Sequence, residues 1–319
     1  MSNEVISTRV RLARNLKDYP FPCRLSEQGR KKVIEKVTSA IRDSNSSIAS
    51  DFNLIKLDDL TEAQGVSLVE RHLVSPEFIS ETEGRALLLS KDESMSIMIN
   101  EEDHIRLQVI TDGLSLEQAY DTADKLDTLL DENLEFAFDD KLGTGMRASV
   151  MLHLPALEKS RTIGRIAGNL SKLGLTIRGA YGEGSEPSGS LYQLSNQVTL
   201  GISEKAAIEN LENITKQLVS QEQQARERLA KSIDIQDSVS RSLGLLKSAM
   251  VMTHDEALKL LSNVRFGILS GQIKDVTADV VDSLMEKIEP ATLMVNSGKN
   301  LSAQERDIER AKILREALS

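Results

Sequence analysis

The chain has 319 residues, 40% of them hydrophobic and 28% charged, which is enough for two domains and a sizeable core. A formal net charge of −10 excludes a general nucleic-acid-binding surface, because phosphates are neutralised by basic side chains. The single cysteine, Cys23, excludes an internal disulfide and any cysteine-based zinc site. Beside Pro20, Phe21 and Pro22 it reads as a buried structural thiol. No apolar run reaches membrane-spanning length, and Met1-Ser2-Asn3-Glu4 carries no signal pattern, so a cytoplasmic protein is expected.

Ser7 to Arg14 reads as a strand, with Arg9 and Arg11 two residues apart and therefore on one face. A helix follows over Ser26–Ile41, with Val33, Ile34, Val37 and Ile41 at helical spacing. Thr61-Glu-Ala-Gln64 is a capping box that opens a helix running to His72. Ala86–Leu89 and Met95–Asn100 form a hairpin turning at Lys91-Asp92-Glu93, and His104–Thr111 adds a third strand. Ser115-Leu-Glu-Gln118 is read as another capping box, before a helix with Ala119, Ala123, Leu126, Leu129 and Leu130 on one side. Leu134–Phe138, Ala148–Leu154, Leu175–Arg178, Leu191–Leu194 and Gln197–Leu200 are short strand candidates. From Ser203 strand signals vanish. Helices are expected over Glu204–Leu229, Ala257–Leu269, Val280–Ile288 and Ile308–Leu318, with capping boxes at Thr253-His-Asp-Glu256 and Ser302-Ala-Gln-Glu305. The fold class is α+β, a mostly antiparallel sheet flanked by helices, followed by an all-α C-terminal domain. The division is placed between residues 1–224 and 225–319.

Arginines stand beside glycine-bearing turns. Arg147 follows Gly143-Thr144-Gly145-Met146, and Arg178 precedes Gly179-Ala180-Tyr181-Gly182-Glu183-Gly184. Planar guanidinium groups bind phosphate oxygens bidentately, and glycine lets the backbone approach closely, so a polyphosphate ligand suits this pattern. No G-x-x-x-x-G-K-[ST] element occurs, which excludes a P-loop enzyme. Asn100-Glu101-Glu102-Asp103-His104-Ile105-Arg106 sets three acids side by side. If buried, those like charges call for a cation, and a substrate guanidinium would be one.

These four stretches, in this order, resemble the catalytic domain of the phosphagen (ATP:guanido) kinases over roughly residues 4–200. Helices after that region, with only six residues before Ser7, resemble the arrangement of bacterial protein-arginine kinases. Arg306-Asp307-Ile308-Glu309-Arg310-Ala311 matches that branch's Arg-Asp-x-x-Arg-Ala motif. The resemblance implies transfer of the γ-phosphate of ATP, with Mg²⁺ bridging phosphates and no metal held by the chain itself, to arginine side chains of protein substrates. It assigns Glu102 as catalytic base, Glu183 as a clamp on the guanidinium, and Glu101 as an assistant. It assigns nucleotide binding to Ser7, Thr8, Arg9, Val10, Arg11, His72, Arg106, Arg147, Ala148, Ser149, Val150 and Met151. Arg178, Gly179, Ala180, Tyr181, Gly182 and Glu183 join them on a lid-like loop over 178–187. Arg306, Asp307, Arg310 and Ala311 are implied to form a regulatory phosphoarginine pocket. His104 is expected to support its strand, and His153 and His254 to be structural.

The implied partners are exposed arginines of substrate proteins, a Clp-type ATPase/protease, a zinc-binding activator and a second copy in a homodimer, with no nucleic acid and no membrane. Such marking serves proteolysis and stress response. One departure stands out. Between Phe138-Asp139-Asp140-Lys141 and Leu142-Gly143-Thr144-Gly145 the family carries a longer loop with a Thr-Ser-Cys-Pro-type stretch, and Cys23 does not occupy that position. The alternatives are therefore a catalytically weakened phosphoarginine-binding adaptor or pseudokinase, and a small-molecule arginine kinase.

Overall fold

A computed structural model describes residues 3–44, 46–49, 51–137, 143–179 and 188–319. Eight strands are β1 Val5–Arg14, β2 Phe52–Lys56, β3 Ala86–Ser90, β4 Met95–Ile99, β5 Ile105–Asp112, β6 Met146–His153, β7 Leu175–Gly179 and β8 Leu191–Asn196. In the first two hundred residues they are interleaved with α1 Glu27–Arg42, α2 Glu62–Glu70, α3 Pro76–Ile79, α4 Leu116–Leu134, α5 Pro155–Lys159 and α6 Ile163–Lys172. Only helices follow: α7 Glu204–Leu229, α8 Ile233–Ser248, α9 His254–Leu269, α10 Ala278–Lys287, α11 Pro290–Ser297 and α12 Ala303–Leu318. The strands form one sheet in the order β2-β3-β4-β5-β1-β6-β8-β7. β2 to β5 make an antiparallel meander, with Leu88 opposite Leu54 and Ile97, and Met98 opposite Arg106.

Chain contacts divide the protein into two compact units, one of residues 8–149 and 196–210, the other of 1–7, 150–195 and 211–319. In the first, the meander buries Leu87, Leu89 and Met98 with Leu57, Leu68, Leu73 and Phe78. The capping box of α2 forms as expected, with Thr61 and Gln64 bonding each other's backbone N–H. α1 begins at Ser26, whose hydroxyl accepts the Gly29 N–H.

The second unit is centred on α9, whose Leu258, Leu261 and Val264 pack with Val281, Leu284 and Leu314 of α10 and α12. It also holds a buried polar network. Arg265 forks onto Asp282, donating through Nε at 2.6 Å and Nη2 at 2.9 Å, and its Nη1 donates to His153 Nδ1 at 3.3 Å. His153 Nε2–H then faces Ser262 Oγ at 2.8 Å, so the imidazole is neutral and structural, held far below its usual range by burial and then by the Arg265 charge. Glu222 on α7 accepts the backbone N–H groups of Ala156 (2.8 Å) and Leu157 (2.9 Å), and Arg226 one turn on donates to Glu4 at 2.6 Å. Burial pushes the Glu222 carboxyl up to about 7, against those two N–H bonds and the Arg226 charge.

Several local expectations are corrected. Ser115 does not close a capping box. Its hydroxyl donates to Asp112 O at 2.9 Å and its N–H goes to Thr8 Oγ1 at 3.1 Å, with φ −139° and ψ 43°. Leu134 is not the start of a strand, because it continues the buried Leu126-Leu130 stripe of α4. Among the described residues there, an isolated bridge joins Leu16 to Phe136, and Phe138 lies outside them. Gln197–Leu200 is not a strand either, since the Asn196 amide folds back, donating to Val198 O and Met146 O while its Oδ1 takes the Ala148 N–H. Cys23 is exposed on a short 3₁₀ turn, with Pro22 beside it buried in its place. α5, α6, α8 and α11 are helices that periodicity missed.

The Glu222 network yields a prediction. Glu222→Ala strands two buried N–H donors and lowers unfolding free energy by about 2–5 kcal/mol, read from urea denaturation. Glu222→Gln, which keeps one acceptor oxygen, loses less.

Candidate active site

β1 alternates, with Thr8, Val10 and Leu12 buried and Arg9 and Arg11 between them on the opposite face. The same unit carries Arg106 on β5 and Arg147 on β6. Arg9 and Arg11 are half-buried, and their surroundings are strongly positive. Burial and then the Arg147 charge bring the Arg9 guanidinium down to about 10. Arg11 lies well below its ordinary value through burial, then the charges of Arg9, Arg147 and Arg106, with Glu101 alone opposing. The four guanidinium groups are thus electrically coupled, and an added anion would favour their charged forms.

The acidic turn before β5 is shaped by its less conspicuous residues. Asn100 takes a left-handed φ of 66°, which asparagine tolerates, and its Nδ2 donates to Arg30 O (3.0 Å) and Gly84 O (2.9 Å). Asn15 holds the other end, donating to Asp103 Oδ1 at 2.7 Å and accepting the His104 N–H at 3.0 Å. His104 is fully buried, with Nδ1 accepting the Leu16 N–H and Nε2 donating to Pro20 O at 2.9 Å. Asp103 and His104 thus anchor the turn. Glu101 points inward at 8% exposure, 2.6 Å from Arg106 Nη1, and accepts the Ser75 hydroxyl. Glu102 points outward, its side chain 83% exposed and 3.4 Å from Arg106 Nη2.

His72 sits in the segment that follows α2, with φ 60°, its carbonyl accepting from Gln108 Nε2 at 2.9 Å. Burial and then the Arg9 charge hold its imidazole down to about 4, so it is neutral at pH 7. The turn before β6 is clamped by Arg14, whose Nη1 donates to Thr144 O and Ala13 O while Nε and Nη2 grip Asp127 Oδ2. Gly145, at φ 62°, has no room for a side chain, since a Cβ would lie 2.8 Å from Arg14 Nη1 and 2.9 Å from Ala13 O.

The remaining expected site residues fall elsewhere. Thr8 donates to Gly113 O at 2.6 Å, and Val10 and Ala148 are buried. Ser149, also buried, faces Arg9 O. Ser7, Val150, Met151, Arg178 and Gly179 belong to the other unit, where Val150 is buried and Met151 packs on the helical core. Ala180, Tyr181, Gly182 and Glu183 lie outside the described residues. In the C-terminal motif Arg310 is 1% exposed. It donates through Nε to Ile288 O (3.0 Å) and through Nη1 to Met252 O (2.9 Å) and Asp307 Oδ1 (2.6 Å). Arg306 donates to Leu301 O, and Ala311 is buried. His254 lies 3.1 Å from Glu289 Oε2. Burial lowers its pKa but the Glu289 bond and charge outweigh this, so it is raised overall. Sequence reasoning missed Ser75, Asn15, Gln108 and Arg14, of which only Ser75-Pro76 carried a usable sign, the cap-then-proline start of a helix.

Residues 32–225 match the family model for the C-terminal catalytic domain of ATP:guanido phosphotransferases, and 232–319 match that for the C-terminal domain of the protein-arginine kinase McsB. A lombricine kinase crystal structure superimposes with a TM-score of 0.62 at 24% identity, covering 73% of this chain and 70% of that one, a likeness of fold. The duplicated taurocyamine kinase of Schistosoma mansoni, solved with bound transition state analogue components, gives a TM-score of 0.61 at 25% identity. That match covers 80% of this chain and 38% of the other. The molecule is thus of the guanidino phosphotransferase class. The protein-arginine kinase of Halothermothrix orenii is 47% identical over 327 residues, 99% of this chain and 93% of its own. That of Caldanaerobacter subterraneus subsp. tengcongensis is 44% identical over 97% and 95%. The chain belongs to the protein-arginine kinase family, and it is a phosphotransferase directed at a guanidino group.

The depressed His72 sets a pH dependence. An unfolded imidazole titrates near 6.5 and the folded one near 4, so between these values the unfolded chain binds more protons. The contribution of His72 is therefore intact above about pH 6.5 and is lost as pH falls towards 4. Urea midpoints measured from pH 7 to pH 4.5 should fall less steeply in His72→Gln than in the parent protein.

Proposed function

We propose that this protein transfers the γ-phosphate of ATP to arginine side chains of protein substrates. The observation that carries the reading is the half-buried cluster of Arg9, Arg11, Arg106 and Arg147, whose mutual repulsion a polyphosphate relieves. Mg²⁺ would be supplied with the nucleotide and would neutralise part of the phosphate charge, leaving the remainder to the arginines of the cluster. Arg106 is held by Glu101, so its guanidinium is oriented before the nucleotide arrives. His72, neutral beside Arg9, adds an uncharged edge to the nucleotide site without further repulsion.

The chemistry follows from the acceptor. A guanidinium has a pKa above about 12 and is a poor nucleophile while protonated. The exposed carboxylate of Glu102 takes a proton from the terminal nitrogen as that nitrogen attacks the γ-phosphorus. The nitrogen–phosphorus bond forms, the bond from phosphorus to the β,γ-bridging oxygen breaks, and ADP leaves carrying that electron pair. Glu102 then releases the proton to solvent. By resemblance Glu183 clamps the guanidinium, and Arg178 and Gly179 to Gly182 contribute to nucleotide binding. Ser7, Thr8, Val10, Ala148, Ser149, Val150 and Met151 contribute the strand backbone around it.

The marked proteins are handed to a Clp-type protease in stress response, the kinase acting as a homodimer with a zinc-binding activator. Residues 1–224 perform the transfer and 225–319 regulate it. Within the regulatory part a phosphoarginine site is built on Arg306, with Asp307, Arg310 and Ala311 as its frame, since Arg310 already spends Nε and Nη1 on neighbouring acceptors.

Incubation with labelled ATP, Mg²⁺ and either casein or free arginine tests the reading. Acid-labile label should appear on casein, and Glu102→Gln should reduce it at least 10³-fold, on the order expected for loss of a general base, with ATP affinity kept. Label on free arginine alone points to a small-molecule kinase. Phosphoarginine binding without transfer to either acceptor points to an adaptor.

A further inference from the structure

We propose that Ser75 is a positioning residue for phosphoryl transfer. By fixing Glu101 as the standing counter-ion of Arg106, it leaves Glu102 free for the substrate. The inference rests on the reading that Arg106 and Glu102 belong to the transfer site.

Hydrogen-bond inventory leads to Ser75. A serine hydroxyl has one proton and two lone pairs. One lone pair of Ser75 Oγ accepts the Phe78 N–H at 3.2 Å, capping α3, and the proton is directed to Glu101 Oε1. The other carboxylate oxygen of Glu101 lies 2.6 Å from Arg106 Nη1. Glu101 thus holds one oxygen by a hydrogen bond from Ser75 and the other by an ion pair that lacks hydrogen-bond geometry, and it is almost completely buried, at 8% exposure. The segment carrying Ser75 is itself pinned, because Leu73 O accepts from Ser96 Oγ at 2.9 Å and from Gln108 Nε2 at 3.1 Å. The chain of contacts runs from a fixed loop through Ser75 and Glu101 to Arg106.

Arg106 touches two carboxylates of different character. Its link to the exposed Glu102 is long, at 3.4 Å, and its link to the buried Glu101 is short. When a substrate guanidinium draws Glu102 away, Arg106 keeps its orientation only through Glu101. Without the Ser75 proton, Glu101 can rotate towards Arg11, whose charge it also feels. Arg106 would then lose its fixed aim at the phosphates, and Glu102 would be recruited to hold it.

The test uses three substitutions of Ser75 and a Glu101→Ala background on the full chain, with calorimetric MgATP affinity and steady-state kinetics on casein. Ser75→Ala should raise the KM for MgATP roughly tenfold, the effect of losing a hydrogen bond to a charged group, and lower kcat. Ser75→Thr, which keeps both the hydroxyl and the cap, should stay within about twofold of the parent. Ser75→Asp keeps the cap acceptor but sets a like charge against Glu101, so it should be worse than Ser75→Ala. In a Glu101→Ala background, Ser75→Ala should change KM no further. A purely structural cap predicts the opposite order, with Ser75→Asp active and Ser75→Ala merely less stable, and that result overturns the proposal. Full additivity with Glu101→Ala overturns it as well. If the parent protein fails to bind MgATP, the reading of the transfer site falls with it. If the parent binds and transfers normally while Ser75→Ala matches it, the Ser75 inference alone fails.

Discussion

The central constraint in this molecule is the mutual repulsion of guanidinium groups held close together on the sheet. Arg9 and Arg11 share one face of β1 because strand side chains alternate, and the opposite face buries Thr8, Val10 and Leu12. Arg147 acts on both, and Arg106 acts on Arg11. Packing of the apolar face thus holds in place an electrostatic cost on the polar face, and strain of that kind persists at functional sites because the surrounding fold over-determines it.

The surrounding structure keeps this cluster rigid rather than relieving it. Arg14 and Asp127 clamp the turn that delivers Arg147, and Gly145 is needed because the clamp leaves no space for a side chain. Asn100 and Asn15 hold the two ends of the acidic turn, so that Glu101 faces inward and Glu102 outward. Two adjacent glutamates consequently differ in environment, one a buried counter-ion and the other an accessible carboxylate. That separation lets one short motif supply both an electrostatic brace and a proton acceptor. Pre-positioned charge of this sort lowers the reorganisation needed at the moment of transfer.

Much of this was legible in the residues themselves. Period-two spacing placed Arg9 and Arg11 on one face, and the capping boxes at Thr61 and Ser302 form as their sequences suggest. Both are local rules with little competition. The failures came where partners other than the expected ones won, some of them local and some distant in sequence. Ser115 gave its hydroxyl to Asp112 rather than to its own helix, and the Asn196 side chain closed off a strand that Gln197–Leu200 would have continued. Cys23 lies exposed because Pro22 took the buried position. Arg310 belongs to a motif implied to bind phosphoarginine, and it is buried and bonded to carbonyls fifty-eight and twenty-two residues away in sequence. No local pattern encodes such a contact. Ser75-Pro76 signalled a helix start, but the bond from Ser75 to Glu101 was not legible, because Glu101 comes from a distant turn.

The decisive property is whether phosphate relieves the electrostatic coupling within the arginine cluster. Thermal unfolding of the parent protein and Arg9→Gln, each alone, with MgATP and with adenosine, measures this directly. Removing one of the repelling charges should leave the unliganded melting temperature unchanged or raise it, and should abolish most of the rise that MgATP produces in the parent, with adenosine giving little in either. An Arg9→Gln protein that melts lower on its own yet keeps the full MgATP-induced rise would contradict the account.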